Sequence, residues 1–375
     1  MTDRSISSVT AQFSTGPQAP RSPQALARQL RPLLPSEAFQ TSPTRLALVP
    51  INLAILVLGW HMASQLDRWP LPSLLIWLPI AVLMGNSVMV LGFLAHDLMH
   101  GRGPRQRTLR RLAGLLGFSM LWMTPTLWQA VHNREHHSHT NGLQDPDRSY
   151  LASQPNSWGK RLFHWIAPSS EVNPLVLALG MTSAWPLHHF RTTCAVLLFN
   201  STKTGFTPAS FRVRPAERRA IGLELAAVAS IHLLVISWIG LQPIQLLLGY
   251  FLPLWIGYAM AMAYIYTNHV LNPLTEDNDP LLSSLSLQVP AWIDLLHCNF
   301  SHHSEHHVFP GLNSNYYPLV RQLLLRHHGD RFNLMGAAEA WRLMLATPRF
   351  YRDAGHLISA DGAVLVPVPL APAAP

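Results

Sequence analysis

Of the 375 residues only 12% are charged while 49% are hydrophobic, and the mean hydropathy is +0.15, which excludes an ordinary pair of soluble domains and points to an integral membrane protein. The net charge of +8 does not mark a nucleic-acid binder, because the positive residues are distributed around apolar segments rather than gathered into one basic face. Two cysteines, Cys194 and Cys298, exclude a disulfide framework and a Cys-rich metal site.

Residues 1–45 are rich in Ser, Pro, Gln and Arg and have no apolar signal-like core, so they are expected to form a flexible cytosolic leader. The membrane domain is expected over 46–330. Leu46 to Leu66 and Ser73 to His96 are each long enough to cross a hydrocarbon core, which takes roughly 20 helical residues, and the short "DRWPLP" joins them into a hairpin. Leu112 to Trp128 and Leu175 to Phe199 carry Pro, Trp and His that suit an interface, and are expected to be interfacial or re-entrant. Ala220 to Gly240 and Ile244 to Thr267, joined by "LQP", form the second hairpin. Pro79 and Pro253 are tolerable inside such spans. Glu224 is expected to snorkel and His232, near mid-span, to face the bundle. Residues 331–375 are expected to hold a C-terminal helix and an unstructured Pro/Ala/Val tail.

Of the 27 Lys and Arg, only Arg68 falls in a connection between paired spans. The positive-inside rule therefore puts both termini and the histidine-rich segments in the cytosol. The expected fold is an all-α integral membrane protein, with four transmembrane helices in two hairpins and a cytosolic helical cap.

Twenty histidines occur, and they cluster. "HDLMH" spaces His96 and His100 at i, i+4 where the second span runs out, with Gly101, Gly103 and Pro104 ending the helix. "HNREHH" places His132, His136 and His137 on a helix begun near Thr126 and ended by "NG". "HSEHH" places His303, His306 and His307 on a helix opened by Pro290 and closed by "FPG". Such spacings bring each set onto one face, where imidazoles can converge on a metal; neutral imidazole suits iron, zinc, copper and nickel. Eight ligands are too many for one ion. His61, His164, His188, His189, His327, His328 and His356 lie outside these sets and are expected at interfaces or surfaces.

Both "HNREH" and "HHSEH" also match the inverted zinc-protease signature, which would make Glu135 or Glu305 a general base. Two copies in one chain fit a single peptidase site poorly. A His-rich transporter is the non-enzyme alternative, but transporters bind near mid-membrane rather than at its edge.

Order, spacing and topology together resemble the membrane-bound fatty acid desaturase superfamily over most of residues 46–330. "HNREHHSHTNGLQDPD" is similar to the family's second histidine box and "NFSHHSEHHVFPGLNSNYYP" to its third. The resemblance implies a non-haem pair of irons held by His96, His100, His132, His136, His137, His303, His306 and His307. It further implies His269, in "YTNHVLNP", as a ninth ligand, with Asn268 holding a water. His139, His297 and His302 are alternatives close to the boxes. Asp97, Asp145, Asp147, Glu135 and Glu305 are candidates to fix ligand tautomers. Trp122, Trp128, Trp255 and Trp292 are candidates to line an acyl path or anchor at the interface.

The implied activity is O2-dependent desaturation of an acyl chain carried on lipid, CoA or a carrier protein. Related di-iron hydroxylases and ketolases use similar boxes. No fused cytochrome b5-like "HPGG" segment, Cys cluster or dinucleotide fingerprint is found, so electrons are expected from a separate donor such as ferredoxin or cytochrome b5. Arg102, Arg105, Arg107, Arg110 and Arg111 could steer such a donor or anchor to lipid headgroups.

Overall fold

The structure, a computed structural model, describes residues 21–101, 107–147, 162, 165–201 and 211–372. It is mostly helical, and four stretches are long and apolar enough to cross a membrane: Pro43–Arg68, Leu71–His100, Pro215–Ile239 and Gln245–His269.

The described residues open with a short helix, α1 (Pro23–Leu30), followed by two 3-10 turns, Arg31–Leu33 and Ser36–Phe39. Helix α2 (Pro43–Ala63) starts where the Ser42 hydroxyl accepts the Arg45 N–H and Pro43 pre-sets the first turn. Helix α3 (Leu74–His100) runs the length of the bundle and stops at Gly101. Helix α4 (Arg107–Ser119) doubles back along it, with Gly117 so close to α3 that a Cβ would sit 2.5 Å from the Leu91 carbonyl. After a turn, α5 (Pro125–Trp128) returns toward the end of α3 and continues through a π-helical turn, Gln129–Glu135, into a 3-10 turn, His136–Ser138. The stretch 112–128 therefore enters the bundle and comes back out on the same side.

Helix α6 (Pro174–Cys194) with its π-helical extension Ala195–Phe199 packs on the later helix α8. Helix α7 (Pro215–Ile239) follows. Glu224 on α7 does not snorkel: its carboxylate accepts the Thr126 N–H at 2.9 Å and the Thr126 hydroxyl at 2.7 Å. The first turn of α5 has unsatisfied N–H groups, and an acid from a neighbouring helix supplies the acceptor. A π-helical segment, Gln245–Phe251, runs without a break into α8 (Leu252–His269); Pro253 at the junction has no N–H to give the preceding turn, and the Leu248 carbonyl there accepts from Trp77 Nε1 at 2.8 Å instead.

Helices α3 and α8 lie side by side and point the same way. Gly257 makes this possible, since a Cβ there would lie 2.7 Å from Val88 and 2.8 Å from the Gly85 carbonyl. Further along, Phe93 meets Tyr264 edge to face at 5.7 Å. His100 and His269 consequently end up at the same end of the bundle. At the other end the two short connections meet, with Gln245 Nε2 donating to the Ser64 carbonyl and to Asp67.

Beyond α8 come α9 (Pro280–Ser283), β1 (Ser286–Gln288), α10 (Ala291–Leu296), α11 (His303–Val308), α12 (Tyr317–His328), β2 (Leu334–Gly336) and α13 (Ala337–Ala346). β1 and β2 pair in parallel. These short elements lie against the histidine-bearing end of the bundle.

Two further expectations need correction. The leader is structured over its described part: Leu26 and Leu30 of α1 are fully buried against Val308, Phe309, Val320 and Leu324. Composition alone concealed this, because the amphipathic repeat occupies only two turns. The tail is not unstructured either. β3 (Phe350–Tyr351), β4 (His356–Ile358) and β5 (Leu365–Pro367) form an antiparallel sheet, and Gly362 at φ 77 makes the β4–β5 turn. The Asp361-Gly362 pair before "AVLVPV" is a hairpin signal that the proline count obscured. Both segments pack onto the membrane domain expected at 46–330.

Truncating Leu30 to Ala should destabilise the protein by about 2–5 kcal/mol, read as a lower midpoint of thermal unfolding in detergent. An unchanged midpoint would return α1 to the status of a detachable leader.

Candidate metal centre

Four parts of the chain bring histidines to one place. α3 supplies His96 and His100 from its last turn, the segment after α5 supplies His132, His136 and His137, and α11 supplies His303, His306 and His307. α8 adds His269 from its final residue. All nine sequence candidates therefore meet.

They sort into two groups that cut across the sequence boxes. His96, His100, His132 and His306 offer nitrogens within 4.8 Å of one another, as do His136, His269, His303 and His307. His137 joins the first group, with its Nε2 3.2 Å from those of His132 and His306. The expectation that each box shares one helical face does not hold for the second box. Its backbone passes from a π-helical turn at His132 into a 3-10 turn at His136, and this change of winding turns His132 and His137 to one side while His136 faces the other group. Nor is the third box on one helix from Pro290. α10 ends at Leu296, Cys298 and Asn299 take left-handed φ values of 60 and 59, and α11 begins afresh at His303.

Hydrogen bonds decide which ring nitrogen carries the proton. His136 Nδ1 donates to Asp145 at 2.9 Å, His96 Nδ1 to Asp97 at 3.2 Å and His269 Nδ1 to the Ser283 carbonyl at 2.9 Å. His306 Nδ1 lies 3.0 Å from the Tyr317 hydroxyl, which itself donates to the Phe309 carbonyl. His307 Nδ1 lies 3.4 Å from the Thr140 hydroxyl, which donates to the His136 carbonyl. Each arrangement leaves a bare lone pair on Nε2, aimed into the cluster.

Those lone pairs crowd together. His303 Nε2 is 2.7 Å from His269 Nε2 and 3.1 Å from His307 Nε2, and a single proton on His303 can satisfy only one of them. His96 Nε2 faces His132 Nε2 at 3.0 Å. His100 Nε2 and Asn268 Oδ1 are buried without a hydrogen-bond partner. A surplus of converging acceptors in a buried site fits cations, and an all-imidazole donor set suits a borderline transition metal.

Burial works in the same direction. It pushes His132 down to about 3, against the pull of Asp147. Burial and then the neighbouring imidazoles hold His137, His303, His306 and His307 well below the ordinary range. Burial also opposes protonation of His136, but the Asp145 carboxylate outweighs it and raises the ring. Most of these rings are thus neutral near pH 7, the state in which imidazole binds metal.

The other candidates are placed elsewhere. Glu305 is fully buried and bound to Arg321, His302 and Ser286, while Glu135 pairs with Arg134. Neither carboxylate belongs to a histidine group. His297 bonds Tyr264 and Asn86, and His139 is a partly exposed residue bonded to the Glu135 carbonyl. Asp147 lies 3.9 Å from Nδ1 of both His132 and His136. His164 falls outside the described residues.

An apolar cavity of about 180 Å³ opens onto the histidines. Its wall includes Gly92, Phe93, Phe118, Leu121, Met123, Trp128, Ala261, Met262 and Ile265, and it reaches His96, His132, His136, His269, His303 and Asn268. His188 and His189, expected at a surface or interface, also line it. His188 sits 3.2 Å from Asp147, and His189 is buried. Their spacing on α6 carried no signal that the helix would face the site. Trp128 packs against His96, His100 and His132 at 4.9–5.3 Å, whereas Trp122 is turned toward His232, and Trp255 and Trp292 are exposed.

Two histidine clusters that could hold metal thus lie at one end of four apolar helices and open onto an apolar cavity. The fatty acid desaturase family matches residues 72–334, and the chain belongs to it. It is similar to the chloroplastic omega-6 fatty acid desaturase of Spinacia oleracea, 24% identical over 348 residues, covering 88% of this chain and 71% of the relative. It is also similar to the sn-1 acyl-lipid omega-3 desaturase (ferredoxin) of a Synechocystis strain, 23% identical over 316 residues and covering 78% of each. The chloroplastic omega-6 fatty acid desaturase of Glycine max is 22% identical, over 83% of this chain and 69% of the relative.

Removing the Asp145 carboxylate should loosen His136 and weaken metal retention about 10–100-fold, measured by competition with a chelator. Retention equal to the wild type in Asp145→Ala would show that this hydrogen bond does not organise the site.

Proposed function

We propose that the enzyme introduces a double bond into the acyl chain of a membrane lipid at a pair of non-haem irons. The observation that carries the proposal is the meeting of two all-histidine clusters on one apolar cavity. In this reading His96, His100, His132, His137 and His306 hold one ion, and His136, His269, His303 and His307 hold the other. Asn268, whose buried Oδ1 has no protein partner and which lines the same cavity, would hold a water there.

When bound, the irons supply the O2-dependent oxidising power that hydrogen removal from an unactivated methylene pair demands. The protein's own residues do the rest. Asp97, Asp145 and the Ser283 carbonyl keep the ligand rings in one tautomer and orientation. The apolar wall at Phe93, Trp128, Met262 and Ile265 excludes water and favours a hydrocarbon over any charged substrate. Substrate carried on a lipid, rather than on CoA or a carrier protein, is the form named for the Synechocystis relative.

The four apolar helices are proposed to form two membrane hairpins, with the metal centre, its helical cap and both termini in the cytosol. Support comes from charge: the two remote connections, 64–73 and 240–244, contain a single positive residue, Arg68. Reducing O2 to water takes more electrons than the substrate gives up, so a separate donor must dock, and ferredoxin is the donor named for one relative. Arg107 and Arg111 on α4 are exposed, Arg110 is buried, and Arg102 and Arg105 lie outside the described residues. The exposed arginines give an acidic donor a surface to find.

Metal analysis of the purified protein together with fatty-acid profiling of an expressing host tests the proposal. Iron with new unsaturation is expected. Zinc without iron, or hydroxylated chains without unsaturation, would replace it with a hydrolase or a hydroxylase. His136→Ala and His306→Ala should each abolish unsaturation while the protein still inserts, and exposed His327→Ala should leave it intact; equal loss in both classes would sink the ligand assignment. With limiting donor, turnover should fall as ionic strength rises, and Arg105→Glu with Arg107→Glu should lower it further at unchanged iron. A salt-independent rate would leave these arginines as lipid anchors.

A further inference from the structure

The turn between α4 and α5 is gripped by side chains from three other helices. His232 Nε2 of α7 donates to the Ser119 carbonyl at 2.8 Å, Tyr258 of α8 to Met120 at 3.2 Å, and Trp185 Nε1 of α6 to Leu121 at 2.9 Å. The Tyr250 hydroxyl, 2.8 Å from His232 Nδ1, keeps the ring proton on Nε2. Trp122, in a left-handed conformation at φ 53, stacks flat on the same imidazole with ring centres 4.2 Å apart. The turn's own backbone bonds use the Phe118 and Ser119 carbonyls, which leaves Met120 and Leu121 to the side-chain donors. In an apolar bundle an unpaired carbonyl is costly, so such donors hold the turn where it is.

Residues of this turn also reach the apolar cavity, about one helical turn along α3 from His96. Leu121 and Met123 line it, and Leu121 rests on Gly92, whose missing Cβ makes the room. Deeper still, α3 and α8 close on each other at Gly85 and Gly257. Counted along α3 from His96 to Gly92 and along α8 from His269 to Ala261, the wall is about 6–12 Å deep at the helical rise per residue.

We infer that Leu121, fixed by this turn, is the depth stop that sets which acyl chain lengths fit and which methylene pair faces the histidines. His232 and Tyr258 are positioning residues that act through it, while Trp185 both bonds the turn and lines the cavity. A floor free to move would accept several lengths, whereas one tied to three helices defines a single depth. The inference rests on the reading of the cavity as the acyl site.

Chain-length preference and double-bond position in lipids of cells expressing each variant test it, alongside iron content of the purified proteins. Leu121→Ala should admit longer chains and move the bond away from the end that rests on residue 121. The preference between substrates differing by a small number of methylenes should change by about tenfold. Leu121→Phe should shift both readouts the other way, and Tyr258→Phe should broaden the product distribution at unchanged iron. Where a variant does not accumulate, Leu121→Val carries the same comparison with a smaller change. Wild type that makes no unsaturated product would refute the desaturase reading itself. Wild-type product with identical lengths and bond positions in every variant would overturn the depth stop.

Discussion

The structure depends on one electrostatic problem: buried imidazole lone pairs that face each other at hydrogen-bond distance with too few protons to go round. Outward bonds to Asp97, Asp145, Ser283, Tyr317 and Thr140 commit protons to Nδ1, and crowding then falls on Nε2. Cations relieve that repulsion, while exposed histidines would simply turn to water. The acids nearest the clusters stand behind the rings, so the ligating face is imidazole and the negative charge acts at one remove.

Much of the remaining architecture keeps this arrangement in register. α3 and α8 deliver His96, His100 and His269 to the same level because Gly85 and Gly257 let them run in contact. Glu224 caps α5 and so fixes the start of the segment that carries the second box. Behind α11, the buried Glu305–Arg321 pair and the apolar face of α1 hold the third box from the side away from the other histidines. The cavity fills the space that the re-entrant α4–α5 segment leaves between α3, α6 and α8.

Apolar length made the four apolar helices legible, helical spacing made the eight histidines of the boxes legible, and the family resemblance added His269. His232 was readable as bundle-facing because a mid-span imidazole needs partners, and it has Ser119 and Tyr250. The division of the second box between two groups was hidden, since a π-turn leaves no mark in spacing that also suits an α-helix. His188 and His189 were hidden because their role depends on the packing of α6 and on no local pattern. α1 and the β3–β5 sheet are short elements stabilised mainly by what they pack against, which composition does not record.

Anomalous X-ray scattering from crystals of the purified protein, collected on both sides of the iron absorption edge, tests the central claim most directly. The account predicts two iron peaks, one among His96, His100, His132, His137 and His306 and the other among His136, His269, His303 and His307. A single peak, or peaks that appear only at the zinc edge, would contradict it.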